Sequence, residues 1–227
     1  MHTIEELTTA AERMWLDTWT TGPVEREGTG LVQGAVAPDF MLPDETGELR
    51  RLSEFWAAQP ALLMFWRHFG CNCGAERARR LVVEFDSYRD AGLVPVVIGQ
   101  GDPARAAAYR DRHDLPCPVL TDGDLAVYRA YGLGQWSVER VLYDAPEAFL
   151  RHERELGAQF QAHRRAAGNP PVDDPWRAVG EFVVGTDGLV RLPYVYPYCE
   201  AFPQPGVLMA AARLSGDARG PELHATS

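Results

Sequence analysis

The chain contains no lysine: all 22 of its basic residues are arginine. That excludes Schiff-base chemistry at a lysine, pyridoxal enzymes of the usual kind and the phosphate-gripping lysine of a Walker-type loop. Long apolar runs are missing as well. No stretch approaches the ~18 residues that a membrane-spanning helix needs. The amphipathic, acidic start MHTIEELTTAAERMW has neither the basic n-region nor the continuous apolar h-region of a secretory signal. Positive charge is scarce too. Thirty-two acidic residues against 22 basic ones give a formal charge of −10, which repels phosphate backbones and anionic lipid. No nucleic-acid or membrane partner is therefore expected, and the chain reads as soluble and cytoplasmic. The nucleophile elbow G-x-S-x-G and the zinc motif H-E-x-x-H are also absent. What remains is an ordinary globular composition, 46% hydrophobic and 24% charged over 227 residues, enough to bury a core.

Thr3-x-x-Glu6 has the pattern of a capping box, and Ile4, Leu7, Ala11, Met14 and Trp15 recur at helical spacing. Together they predict an N-terminal helix ending near Trp19. Residues 21–34 read as a loop or linker. The apolar run Ala61–Trp66 fits a strand buried on both faces of a parallel sheet. Ala78, Leu81, Val82, Phe85 and Tyr88 mark a helix closed by Gly92. Leu93–Ile98 reads as a strand, and Asp102-Pro103 as the cap and first-turn proline of a helix to about Arg112. A short strand at Pro118–Leu120 and a helix at Leu125–Tyr131 complete an alternation that predicts an α/β domain with a largely parallel sheet. Ala145–Ala167, with Phe149, Leu156 and Phe160 among many charges, reads as one exposed helix, with His152 and His163 on its solvated face. EFVVGTDGLVRLPYVY reads as a hairpin around Thr-Asp-Gly, and Val207–Leu214 as a final helix. The expected organisation is an N-terminal helix and linker over 1–33, one domain over 34–214 with a helical insertion at about 135–178, and a polar tail over 215–227.

Gly99-Gln-Gly101-Asp-Pro-Ala104 imitates a dinucleotide fingerprint, because it follows a strand, opens a helix and has Asp122 and Asp124 some twenty residues on. Pro95 argues against it, since a central strand poorly tolerates a missing N–H. A plain capped turn is the better account, and no cofactor is expected.

Four cysteines remain, and their spacing is not that of a disulfide scaffold. Cys117 and Cys199 are isolated, whereas Cys71 and Cys73 sit in FWRHFGCNCGAE between a buried strand and an amphipathic helix. Unpaired N–H groups and the positive end of the helix dipole favour a thiolate there. Arg67, His68 and the arginines from Arg77 to Arg80 make the neighbourhood more positive still.

The stretches GAVAPDFMLPDETGELRRLSEF, ALLMFWRHFGCNCGAERARRL and VPVVIGQGDPARAAAYRDRHDLPCPVLTDGDLAVYRAYGLG resemble a redoxin domain of the peroxiredoxin and thioredoxin superfamily. Arg67-His-Phe-Gly-Cys71 resembles the R-x-F-x-C segment of the branch grouped with alkyl hydroperoxide reductase and thiol-specific antioxidant, and Gly180–Val184 with Asp187-Gly188 resembles its closing hairpin. The resemblance covers about 34–134 and 178–214. It implies a three-layer thioredoxin-like α/β fold with a mixed central sheet. The chain also departs from the pattern. Neither cysteine has the Thr or Ser that lies three residues before a peroxidatic cysteine, the arginine usual before the closing-strand Phe would fall at Val179, and the pair is Cys-x-Cys rather than Cys-x-x-Cys.

The first reading is a thiol–disulfide oxidoreductase or thiol-dependent peroxide or disulfide reductase. Cys71 attacks, Cys73 resolves, and Arg67 and His68 stabilise the thiolate or shuttle a proton. Electrons come from a small-molecule thiol or a thioredoxin-type reductant, with a homodimer as one assembly the resemblance allows. A second reading makes His68, Cys71, Cys73 and Cys199 soft ligands for zinc, copper or an iron–sulfur centre. A third takes the fold as an inactive interaction module, with Tyr194, Tyr196, Tyr198 and Cys199 as its contact surface.

Overall fold

The computed structural model describes residues 9–70, 72–143, 145–169 and 173–214. A small antiparallel ribbon of β1 (Met41–Pro43) and β2 (Leu49–Arg51) precedes the main sheet. That sheet consists of β3 (Ala61–Phe65), β4 (Val94–Gly99), β5 (Val119–Thr121), β6 (Gly180–Val184) and β7 (Val190–Val195), in the order β5-β4-β3-β6-β7. The β3–β4 and β4–β5 pairs are parallel, while β3–β6 and β6–β7 are antiparallel, so the sheet is mixed.

All five side chains of β3 are buried, which requires cover on both faces. Leu62 and Met64 point into one apolar layer with Ala78, Leu81 and Tyr88 of α3 (Asn72–Asp90), Tyr109 of α4 (Pro103–His113) and Leu208 of α9 (Pro205–Arg213). Leu63 and Phe65 point into the other, with Phe55 of α2 (Ser53–Trp56), Tyr128 of α5 (Ala126–Ala130) and Val141 of α6 (Val138–Val141). Each buried Leu, Met or Phe contributes about 1.5–3 kcal/mol, and the alternation makes the three-layer thioredoxin-like arrangement.

Pro95 is tolerated in β4, contrary to the argument from its missing N–H. Val94 N–H donates towards β3, to Pro60, and Val97 N–H donates towards β5, to Pro118. Alternation therefore points position 95 at the β5 side, and that ladder begins only at the Val97–Val119 pair. No ladder bond is lost.

The N-terminal helix is α1 (Ala10–Thr21), and its capping box is Thr9 with Glu12. The box expected at Thr3 and Glu6 lies outside the described residues, as does the tail over 215–227. The insertion also differs from expectation. It is not one exposed helix but α7 (Glu147–Leu150) and α8 (Arg154–Ala166), separated at His152, whose φ of 39° no α-helix accommodates. Gly157, Ala158, Gln161 and Arg164 form a buried face of α8, and α8 packs on α1. His152 is half-buried rather than on a freely solvated face: its ring lies edge-on to Trp19 and Trp176 and its Nδ1 is 3.1 Å from the Thr20 carbonyl. Trp19 stacks between Trp15 and Trp176, each 5.2 Å away, and donates its indole N–H to the Glu153 carbonyl.

The segment joining α1 to the domain is held along its length. Val24 and Glu25 N–H donate to Gln135 Oε1, and Glu25 pairs with Arg177. Gly28 then crosses Gly132 so closely that a Cβ at position 28 would lie 1.7 Å from the Gly132 carbonyl oxygen. A side chain cannot fit there.

Candidate active site

The loop after β3 leaves the sheet at Trp66, whose carbonyl accepts the Tyr128 hydroxyl and whose N–H donates to Ile98. Phe69 then folds over Gly99, where a Cβ would meet its ring at 2.4 Å. Gly101 sits at φ 111°. Both glycines of the dinucleotide-like motif thus have local packing or backbone reasons. Asp102 caps α4, Arg105 is held by Asp102 and Asp173, and the crevice presents Asp102, Asp173 and Asp174, carboxylates that would repel a pyrophosphate. Gln100 instead clamps the loop that follows β3. Its amide donates to the carbonyls of Arg67 and Asp174 and its Oε1 accepts from Asp174 N–H.

Cys71 lies outside the described residues. Cys73 stands in the first turn of α3, is buried, and is disulfide-bonded. Cys199, after β7, is buried on the same cavity as Cys73, together with Arg67 and His68. The Arg67 guanidinium is buried and donates to the Pro175 carbonyl at 3.1 Å. Burial lowers its pKa, and Cys199 and Asp174 oppose that shift.

His68 is also buried, and its Nδ1 accepts the Gly70 N–H at 3.1 Å. Its proton therefore resides on Nε2. Burial, followed by the charges of Arg67, Arg164 and Arg105, holds its pKa well below the usual histidine range. The positive charge expected of His68 from its sequence neighbours is absent at neutral pH, which leaves Arg67 as the charged member of that pair. This has a pH signature. Above about pH 6.5 both folded and unfolded chains hold this imidazole neutral. As pH falls through that value the unfolded chain takes up a proton that the folded one refuses, so stability drops by about 1.4 kcal/mol per pH unit. His68→Asn keeps an acceptor without titrating. Urea denaturation from pH 7 to pH 5 is expected to show a shallower loss for this variant, and equal slopes would refute the assignment.

Beneath Cys73 lies a second buried group. Arg77, one helical turn on, pairs with Glu181 of β6 at 2.7 Å and with Glu84 at 2.9 Å. The Tyr196 hydroxyl donates to Glu181, and the Tyr88 hydroxyl donates to Glu84. Burial alone would lower the Arg77 pKa, but Glu181 raises it well above the usual value. Of the three tyrosines considered as a contact surface, Tyr196 belongs to this network, Tyr194 donates to the Ala201 carbonyl, and Tyr198 is exposed. Arg177 pairs with Glu25 and Asp174, does not line the cavity, and cannot replace the arginine missing at Val179.

The cavity holds about 270 Å³. Its outer wall is Trp15 and Trp19 from α1, Phe149 from α7, and Phe160 and Arg164 from α8. None of these was a site candidate from the sequence, and no motif marks them. Among the described residues no group of three His, Cys, Asp or Glu side chains is placed to hold a metal. Cys117 is remote, on the far side of the sheet, and burial pushes its thiol up to about 12. It is expected to resist iodoacetamide at pH 8 in the folded protein and to react only in denaturant; ready labelling when folded would contradict this burial.

A model of the AhpC/TSA family matches residues 33–154, more than half of the chain. The thiol-disulfide oxidoreductase ResA of Geobacillus thermodenitrificans is 29% identical over 110 residues, which is 48% of this chain and 62% of ResA. The chloroplastic peroxiredoxin Q of Triticum aestivum is 27% identical over 110 residues, 46% of this chain and half of that protein. The match thus spans less than two thirds of either relative. Among solved structures, the peroxidoxin BcpB of Mycobacterium tuberculosis superimposes with a TM-score of 0.58 at 17% identity, covering 80% of this chain and 96% of that one. That similarity concerns the fold. No helix among the described residues is long and apolar enough to cross a membrane.

Proposed function

The chain belongs to the AhpC/TSA family, and on that premise we propose that it is a thiol–disulfide oxidoreductase or thiol-dependent peroxide reductase whose redox pair is Cys71 and Cys73. The observation that carries the reading is Cys73 in the first turn of α3, on a cavity it shares with the buried guanidinium of Arg67. The N–H groups of that turn and the Arg67 charge favour a thiolate. With a hydroperoxide, the Cys71 thiolate attacks the outer oxygen. An S–O bond forms, the O–O bond breaks, and the alcohol leaves after taking up a proton. Cys71 is now a sulfenic acid. The Cys73 sulfur attacks it, an S–S bond forms and water leaves. With a disulfide substrate the intermediate is a mixed disulfide, and Cys73 displaces the second thiol. Two electrons then return from a small-molecule thiol or a thioredoxin-type dithiol, as a reducing compartment such as the cytoplasm supplies.

Thiol counting on the reduced protein tests this. One equivalent of an organic hydroperoxide is expected to consume two thiols together and release one alcohol, and a small dithiol is expected to restore both. Metal analysis of protein purified without chelators runs beside it. Loss of a single thiol, or stoichiometric metal that protects the thiols, would overturn the proposal.

A further inference from the structure

The cavity beside Cys73 has a wall that the family match does not supply. Trp15, Trp19, Phe160 and Arg164 all lie outside residues 33–154. Phe160 stacks on Trp15 with ring centroids 5.8 Å apart, and the Arg164 guanidinium lies 5.5 Å above the Phe160 ring. From the opposite, loop side comes Arg67, anchored to the Pro175 carbonyl. Two buried guanidiniums therefore face one aromatic chamber. The carboxylate at its rim, Glu200, is exposed and accepts the Tyr143 hydroxyl. At about 270 Å³ the chamber falls just under the ~300 Å³ lower end of small-molecule sites, and its aromatic walls with few polar groups are what such sites use.

We propose that this cavity binds a small amphipathic organic anion, an aromatic or branched apolar body carrying one carboxylate or sulfonate, and that Arg164 selects for its charge. The inference rests on the thiol reading above, because a molecule so held lies against Cys73, and an anion of this class that also carries a hydroperoxide or disulfide is the small substrate of that chemistry. Both guanidiniums line the same poorly solvated chamber, and an anion held between them gains from the two charges together. In keeping with this, burial and then Arg67 and Arg112 lower the Arg164 pKa. The aromatic faces supply the affinity for the apolar body and the guanidiniums the choice of head group.

Two dyes separate these contributions. Anilinonaphthalene sulfonate and N-phenyl-1-naphthylamine share an apolar body and differ by the sulfonate. The folded protein is expected to bind the sulfonate at least tenfold more tightly. Arg164→Gln is expected to erase most of that preference, a loss of about 1.4 kcal/mol per tenfold, and Arg164→Lys to restore part of it. Continued binding of the neutral dye to Arg164→Gln shows that the cavity still stands. Saturating sulfonate is also expected to slow alkylation of the reduced Cys71–Cys73 pair. Failure of the sulfonate to bind, equal affinity for the two dyes, or sulfonate binding that leaves alkylation unchanged would overturn the proposal. If the dyes are discriminated but the thiols do not cycle with hydroperoxide, the redox reading fails and the anion site stands. If the thiols cycle but the dyes are not discriminated, the anion site fails and the redox reading stands.

Discussion

Cys71→Ser is expected to lower peroxide or disulfide turnover by about three orders of magnitude or more, to the uncatalysed rate, because removing a nucleophile removes the step everything else serves. Cys73→Ser is expected to behave differently. It leaves the attacking thiol in place and removes the group that releases it, so one substrate equivalent reacts and a mixed disulfide accumulates on Cys71. The order follows from position. Helix α3 begins at Asn72, so Cys71 immediately precedes the end with unpaired N–H groups, whereas Cys73 is already inside the first turn and only 6% exposed. Alkylation of the reduced protein with limiting iodoacetamide, mapped by peptide across pH 5 to 9, checks it. Labelling of Cys73 ahead of Cys71, or of neither below pH 8, would show that the roles are wrongly assigned.

Glu181→Ala is expected to cost about 3–5 kcal/mol of stability, since it leaves the Arg77 guanidinium buried with its main counter-charge gone. For a chain of this size that is a fall of roughly 6–20 °C in Tm. Glu181 is fully buried and Arg77 is 2% exposed, so water cannot replace the lost carboxylate. The double variant Arg77→Met, Glu181→Leu removes both charges and is expected to recover most of the loss, because apolar replacements of a buried pair are often neutral. Denaturant unfolding of Arg77→Met, of Glu181→Leu and of the double variant decides the matter. A double variant as unstable as the sum of the singles would mean that the pair does not act as a unit.

Much of the scaffold was legible because it rests on local rules. ALLMFW has the length and composition of a strand buried on both sides, Asp102-Pro103 caps and starts α4, and the Thr-Asp-Gly turn sets the β6–β7 hairpin. The loop carrying Arg67, His68 and the cysteines was legible for the same reason, as the corner between such a strand and an amphipathic helix. The cavity wall was not. Trp19 meets Trp176, and Arg165 meets Glu12, across more than 150 residues, and no period or motif encodes such distant contacts. The buried face of α8 is spaced like any helical face, at 157, 158, 161 and 164, but its residues are Gly, Ala, Gln and Arg. An apolar-stripe search passes over them. His68 illustrates a different limit. Its arginine neighbours in sequence suggest a cation, while burial, visible only in three dimensions, keeps it neutral.

The crossing of residues 26–30 with 132–134 constrains how this chain can diverge. A Cβ at Gly28 would strike the Gly132 carbonyl, one at Gly134 would come within 2.1 Å of the Arg26 carbonyl, and Gly132 itself sits at φ 71°. Three positions are thereby closed to drift, one of them in a stretch whose composition suggests a freely variable linker and two in the loop it crosses. Helix α1, which that stretch carries, is under looser terms: Met14 is 73% exposed and open to polar replacement. In a lineage of such chains the strap would then change more slowly than the helix it anchors, and the tryptophans would record how long each lineage has kept the chamber walled.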